Sequence, residues 1–113
     1  RVGEPAANPY LYIASQIVTG LDGVDHERDP GAPETDPYTS QCPMLPATLA
    51  DALTLFDQDP LFRDQFGKTF VDYYVEIKKT ELQRYETYAR DNGIDRASEA
   101  TTKWEQDEYF DFF

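Results

Sequence analysis

Residues 8–24 read NPYLYIASQIVTGLDGV, and the spacing of apolar side chains in this stretch decides the fold class. Asn8 followed by Pro9 is a helix start: the Asn side chain accepts from an orphan backbone N–H, and proline already has helical φ. Tyr10, Ile13, Ala14, Ile17, Leu21 and Val24 then recur every three or four residues, the period of one helix face. Leu11 and Val18 lie on another side, so the apolar arc is wider than a helix with one face in water needs. Gly20 and Gly23 weaken the helix and suggest either close approach of another backbone or a C-terminal cap. A helix over about 9–25, buried against a substantial body, is the expectation.

The rest of the chain offers little to bury it. Of 113 residues, 24 are Leu, Ile, Val or Phe. That fraction is close to the composition at which chains stop folding on their own. Eight Tyr and one Trp add apolar area of an amphipathic kind, suited to interfaces as much as to cores. With 22 acidic and 10 basic residues the net charge is −12, a field that repels nucleic acid and anionic membranes. No apolar run approaches the ~20 residues of a membrane span. The single Cys42 rules out an internal disulfide framework and fits a reducing, cytoplasmic compartment. The chain opens at Arg1 without a signal-peptide pattern, and this end is expected to come from processing or truncation.

Residues 28–47 hold five of the eight prolines and almost no periodicity. A connection of that length is unusual inside a compact domain, where loops run ~4–6 residues. It is expected to be disordered or to track along another surface. Thr48 starts a helix over 48–58, with Leu49, Ala52, Leu53 and Phe56 on its apolar face; Asp51 stands where a capping box prefers Glu or Gln. Asp59-Pro60 starts a short helix over 60–66, stopped by Gly67. A long helix over 69–92 follows, closed by Gly93, with Phe70, Val71, Tyr74, Ile77, Leu82, Tyr85 and Tyr88 on its buried side. Glu76–Lys79, Glu81–Arg84 and Glu86–Arg90 are expected to pair on its exposed side. A last amphipathic helix spans 102–111. The sum is all-α.

Few residues outside these patterns suggest chemistry. Asp25-His26-Glu27 lists metal-ligand types, but three adjacent residues at a helix end do not converge, so a solvated terminus is expected. Cys42 has no activating partner beyond the sole His26 and reads as a plain thiol. The carboxylates read as surface charge, and the tyrosines of the long helix as packing. Trp104 with Tyr109, Phe112 and Phe113 either packs as the core of the terminal helix or docks into a neighbouring subunit.

Three segments in order carry a resemblance. Arg1 to Leu11 (RVGEPAANPYL), Thr19 to Gly23 (TGLDG) and Leu45 to Leu53 (LPATLADAL), with the long proline-rich loop between the second and third, resemble the C-terminal part of the glutamine synthetase family. The resemblance implies that residues 1–113 are the C-terminal helical part of an α+β catalytic domain whose barrel-like sheet portion lies upstream. It implies a ligase that activates the γ-carboxylate of glutamate with ATP, as γ-glutamyl phosphate, using Mg or Mn. Ammonia or another amine then displaces phosphate, and the intact enzyme is a homo-oligomeric ring. Metal ligands, most nucleotide residues and the ammonium-site acid are expected upstream, so this chain alone should carry no catalytic, metal or cofactor residue and be inactive.

One site residue carries over. The family places a Glu-x-Arg pair before this segment, and the Arg that lines up is Arg1, a contact for glutamate or the transferring phosphoryl group. Its Glu partner would sit two positions before Arg1. The tail TTKWEQDEYFDFF looks more like that of γ-glutamyl-amine ligases than like the His-Pro tail of ammonia-using bacterial enzymes. The first helix would lie beneath the catalytic sheet and against the long helix. The alternative is a stand-alone acidic helical interaction module derived from such an enzyme.

Overall fold

A computed structural model describes residues 7–33, 35, 36, 43–95 and 101–110. Five helices run in order: α1 (Pro9–Asp25), α2 (Leu49–Gln58), α3 (Pro60–Phe66), α4 (Lys68–Asp91) and α5 (Lys103–Tyr109). The described residues contain no strand, and the all-α expectation holds. No described helix is long and apolar enough to cross a membrane.

Local chemistry sets the boundaries. Asn8 Oδ1 accepts from the backbone N–H of Tyr10 at 3.0 Å and of Leu11 at 3.2 Å, and Pro9 fills the first turn. α1 does not end at its glycines. It runs through Gly20 and Gly23, and a side chain at either would meet nothing within 4 Å. The end is instead a Schellman closure: Arg28 N–H donates to Gly23 O at 2.9 Å and Glu27 N–H to Val24 O at 3.1 Å. Glu27 takes the left-handed conformation there, at φ 47°, where glycine is usual.

Thr48 Oγ1 accepts from Asp51 N–H at 3.1 Å and donates to Asp51 Oδ2 at 2.7 Å. The Asp side chain thus returns to the hydroxyl instead of to the backbone N–H a longer Glu would reach. Asp59 Oδ1 caps α3 at Leu61 N–H, 2.9 Å away. Gly67, at φ 85°, ends α3 and starts α4 in a single residue. Gly93, at φ 63°, closes α4, with Ile94 N–H donating to Ala89 O at 2.9 Å.

The core sits among α2, α3 and α4. Leu53 of α2 and Val71 and Val75 of α4 are buried, Val71 wholly enclosed, and Ala89 is buried farther along α4. A run of rings borders it: Phe56–Phe62 at 5.1 Å, Phe62–Phe66 at 5.8 Å, Phe66–Phe70 at 5.7 Å and Phe70–Tyr74 at 6.0 Å between centroids. Arg63 pins the three helices together. Its Nε donates to Asp57 O at 2.7 Å and its guanidinium bonds Asp57 and, at 2.8 Å, Asp72. Lys68 and Arg63 hold the Asp72 carboxyl below its usual range. The buried line of α4 differs from the expected one. Val75, Ala89 and Glu81 are interior, the rings and Leu82 are half-buried on the flanks, and Ile77 is exposed. Bulky rings cover the helix from its sides and leave the tightest approach to smaller side chains.

α1 lies apart from this body. Its main partner is α3, not the long helix, and its apolar stripe faces outward: Tyr10 is 83%, Ile13 55%, Ile17 56%, Leu21 58% and Val24 73% exposed. The described residues of the proline-rich connection form neither helix nor strand, and Met44 and Leu45 are exposed. The radius of gyration is 16.7 Å, against about 13 Å for a closed domain of ~100 residues. The accessible surface of 9560 Å² likewise exceeds the roughly 6300 Å² of a compact monomer of this mass. The chain does not close around its most apolar helix.

Candidate functional site

Arg1, the one site residue expected from the sequence, lies outside the described residues, as do Cys42, Phe112 and Phe113. The nearest described segment after Arg1 is the start of α1, and its first turns form one wall of a groove of about 810 Å³. The other walls come from every remaining helix: Phe56 of α2, Phe66 of α3, Phe70, Tyr74 and Ile77 of α4, and Glu108 and Tyr109 of α5. One end is aromatic and follows directly from the ring run of the core. The other end is charged.

The charged end is built on Glu81, 7% exposed and among the most enclosed side chains of α4. A carboxylate there has to be paired, because burying it alone would cost several kcal/mol. Lys78, one turn earlier, donates to Glu81 Oε2 at 2.7 Å, and the Tyr109 hydroxyl of α5 donates to Oε1. Arg84, the partner expected for Glu81 from spacing, instead forks onto Glu108 of α5, with one arm at 3.1 Å. This corrects the exposed Glu81–Arg84 pair. α5 supplies a carboxylate to the cation and a hydroxyl to the anion.

Rings complete the junction. Trp104 lies 5.2 Å from Tyr85 and 6.4 Å from Tyr109, with the Arg84 guanidinium 5.9 Å from its ring. Lys78 Nζ lies 5.7 Å from the Tyr109 ring. Burial, together with the Glu81 carboxylate, pushes the Tyr109 phenol well above its ordinary value near 10. Glu108 raises Arg84 further still, so its charge is permanent. Trp104 and Tyr109 therefore serve as packing for the last helix.

No buried side-chain donor or acceptor among the described residues lacks a partner. No three His, Cys, Asp or Glu among them are placed to hold a metal ion. The Asp25-His26-Glu27 stretch forms a helix terminus. Asp22 accepts from Arg28 Nε at 2.8 Å and lies 3.0 Å from His26 Nδ1. The charged groups of α4 bond to Glu108 and Tyr109, so the polar end joins α5 to α4. Sequence reasoning missed Glu81 as a buried residue because its partner Tyr109 is 28 positions away.

Comparison with known proteins gives this arrangement a context. Residues 1–97 match the family described as glutamine synthetase, catalytic domain. A gamma-glutamylanilide synthase of Acinetobacter sp is 49% identical over 111 residues, covering 97% of this chain and 22% of that protein. Lengsin of Canis lupus familiaris is 38% identical over 96 residues, 81% of this chain and 17% of that protein. A glutamine synthetase of Halobacterium salinarum is 31% identical over 122 aligned positions, spanning 100% of this chain and 24% of that protein. The chain thus spans about a fifth of the length of the curated relatives it matches. With 97 of 113 residues matched, this chain belongs to the glutamine synthetase catalytic-domain family.

Proposed function

We propose that residues 1–113 are the C-terminal helical part of a glutamine synthetase-type catalytic domain, and that α1 lies beneath the remainder of that domain in the complete enzyme. The complete enzyme is a homo-oligomeric ligase that joins glutamate to ammonia or an amine as a γ-glutamyl amide, with ATP and Mg or Mn. The 113-residue chain on its own is inactive. The carrying observation is the uncovered stripe of α1. Five large apolar side chains facing water along ~21 Å of helix form a patch of the kind that marks an interface. Relatives roughly five times longer provide chain enough to cover it. The 49%-identical relative's name supports acceptors bulkier than ammonia.

Arg1 holds the glutamate carboxylate or the transferring phosphoryl group in this reading. A planar, permanently charged guanidinium fork suits either. In this reading metal and nucleotide are held by the remainder of the enzyme, and the contribution of α1–α5 is support.

The test uses the complete polypeptide. Phosphate release dependent on both glutamate and an acceptor, measured with ammonia and with aniline, is expected. Arg1→Ala should lower kcat/KM on the order of 100-fold, as for loss of a charge-stabilising donor. Ile17→Asp should abolish activity by placing an unpaired charge under the catalytic body. Full activity of Ile17→Asp would overturn the covered-face reading, and turnover by the 113-residue chain would overturn its inactivity.

A further inference from the structure

The junction between α5 and α4 differs from the packing elsewhere. α5 has seven residues, none of them buried. A helix that short does not persist in water without docking. Its described attachments are of two kinds, ion or hydrogen-bond pairs and ring contacts: Glu108 on Arg84, Tyr109 on Glu81, and Trp104 against Tyr85. Arg84 is 55% exposed, so dissolved ions reach the pair. The α2–α4 body has, beside the Arg63 pairs, enclosed aliphatic side chains whose burial salt does not weaken, and α5 has none.

The charges on α4 also have a second arrangement available. Glu81 lies three residues after Lys78 and three before Arg84, both spacings that bring side chains together on a helix. Lys78 already bonds Glu81. If α5 leaves, Arg84 loses Glu108 and Glu81 loses Tyr109, and the two freed groups stand within reach of each other. Release therefore strands no charge on α4, which removes the penalty that normally locks a buried carboxylate to its partner.

We propose that α5 is a reversible latch on α4. Docked, it takes Arg84 through Glu108 and Glu81 through Tyr109, and closes the charged end of the groove; released, it leaves Glu81 to Lys78 and Arg84. Closure of that groove, one wall of which is the first turns of α1, becomes a property of the ionic surroundings. The inference is independent of the proposed ligase reaction, since it concerns two helices within this chain.

Hydrogen exchange followed by mass spectrometry on the complete polypeptide tests it without any activity assay. Raising NaCl from 50 mM to 1 M at fixed pH shortens the screening length to about 3 Å. The amides of 103–109 should then exchange about tenfold faster while those of 71–89 keep their rates, as for a unit that opens by itself. Glu108→Gln at 50 mM NaCl should already show the fast exchange and respond no further to salt. Exchange of 103–109 in step with 71–89, or indifferent to salt, would overturn the latch. Should Glu108→Gln fail to accumulate, the salt series on the unaltered protein decides alone.

Discussion

α1 and α4 invert the usual relation between hydrophobicity and burial. α1 carries a long apolar stripe and has no buried residue, whereas α4, dense in charge, supplies Val71, Val75 and Ala89 to the core. What separates them is the partner each was shaped for. α4 faces α2 and α3, which come just before it in the chain, while the apolar stripe of α1 faces outward. An apolar face records the surroundings of the complete protein, and in the proposed arrangement those surroundings extend beyond α1–α5.

The largest effect that could break this comparison comes from paired truncations in the 113-residue chain. Leu53→Ala should cost about 2–4 kcal/mol, the range for emptying an enclosed aliphatic site. Ile17→Ala, on the outward stripe of α1, should fall within about 0.5 kcal/mol of the unaltered chain. Urea midpoints measure both, and equal costs would mean α1 is sheltered in solution.

A smaller effect concerns Tyr109. Tyr109→Phe removes one of the bonds holding Glu81 and should weaken α5 docking by about 1 kcal/mol. The pH dependence has a definite sign. A phenol whose folded value is raised adds stability that is complete below its ordinary value near 10 and is lost as pH rises above that value. Glu81, Glu108 and Glu105 all oppose a phenolate there, and Lys78 beside the ring does not outweigh them. Emission from Trp104, the sole tryptophan of these 113 residues, should report release of α5 as pH rises above about 10. Subtracting the Tyr109→Phe profile isolates this group from the other tyrosines.

The smallest effect sharpens the contrast. Gly20→Ala adds a methyl with nothing within 4 Å and should raise the stability of the 113-residue chain by about 0.5–1 kcal/mol. In the complete polypeptide the same change should lower thermal stability, as the proposed packing of another backbone against α1 requires. A gain in both contexts would leave the glycine without a packing role.

Much of the fold was legible in the sequence because helix ends are local. Asn8-Pro9, Thr48, Asp59-Pro60, Gly67 and Gly93 each act within a turn, and the helices begin and end within about two residues of the expected places. Orientation was less legible. The enclosed line of α4 runs through Val75 and Ala89, since rings on the flanks of the helix compete for the same cover. The end of α1 at Glu27 could not be anticipated from a rule that looks for glycine at left-handed positions. The burial of Glu81 depends on Tyr109, brought beside it by tertiary structure. The proposed substrate contact, Arg1, rests on family likeness alone; no local periodicity marks a substrate contact.

Gly67 joins α3 to α4 without a loop, and Asp59 does nearly the same between α2 and α3. Three helices assembled through one-residue corners form their contacts between near neighbours along the chain. Such assembly needs only short loop closures and is complete in microseconds to milliseconds. On a ribosome releasing ~5–20 residues per second, this body is ordered almost as soon as it emerges. α1 is made before this body but, in the proposed arrangement, after the upstream part that covers it, so its apolar stripe docks onto chain already synthesised.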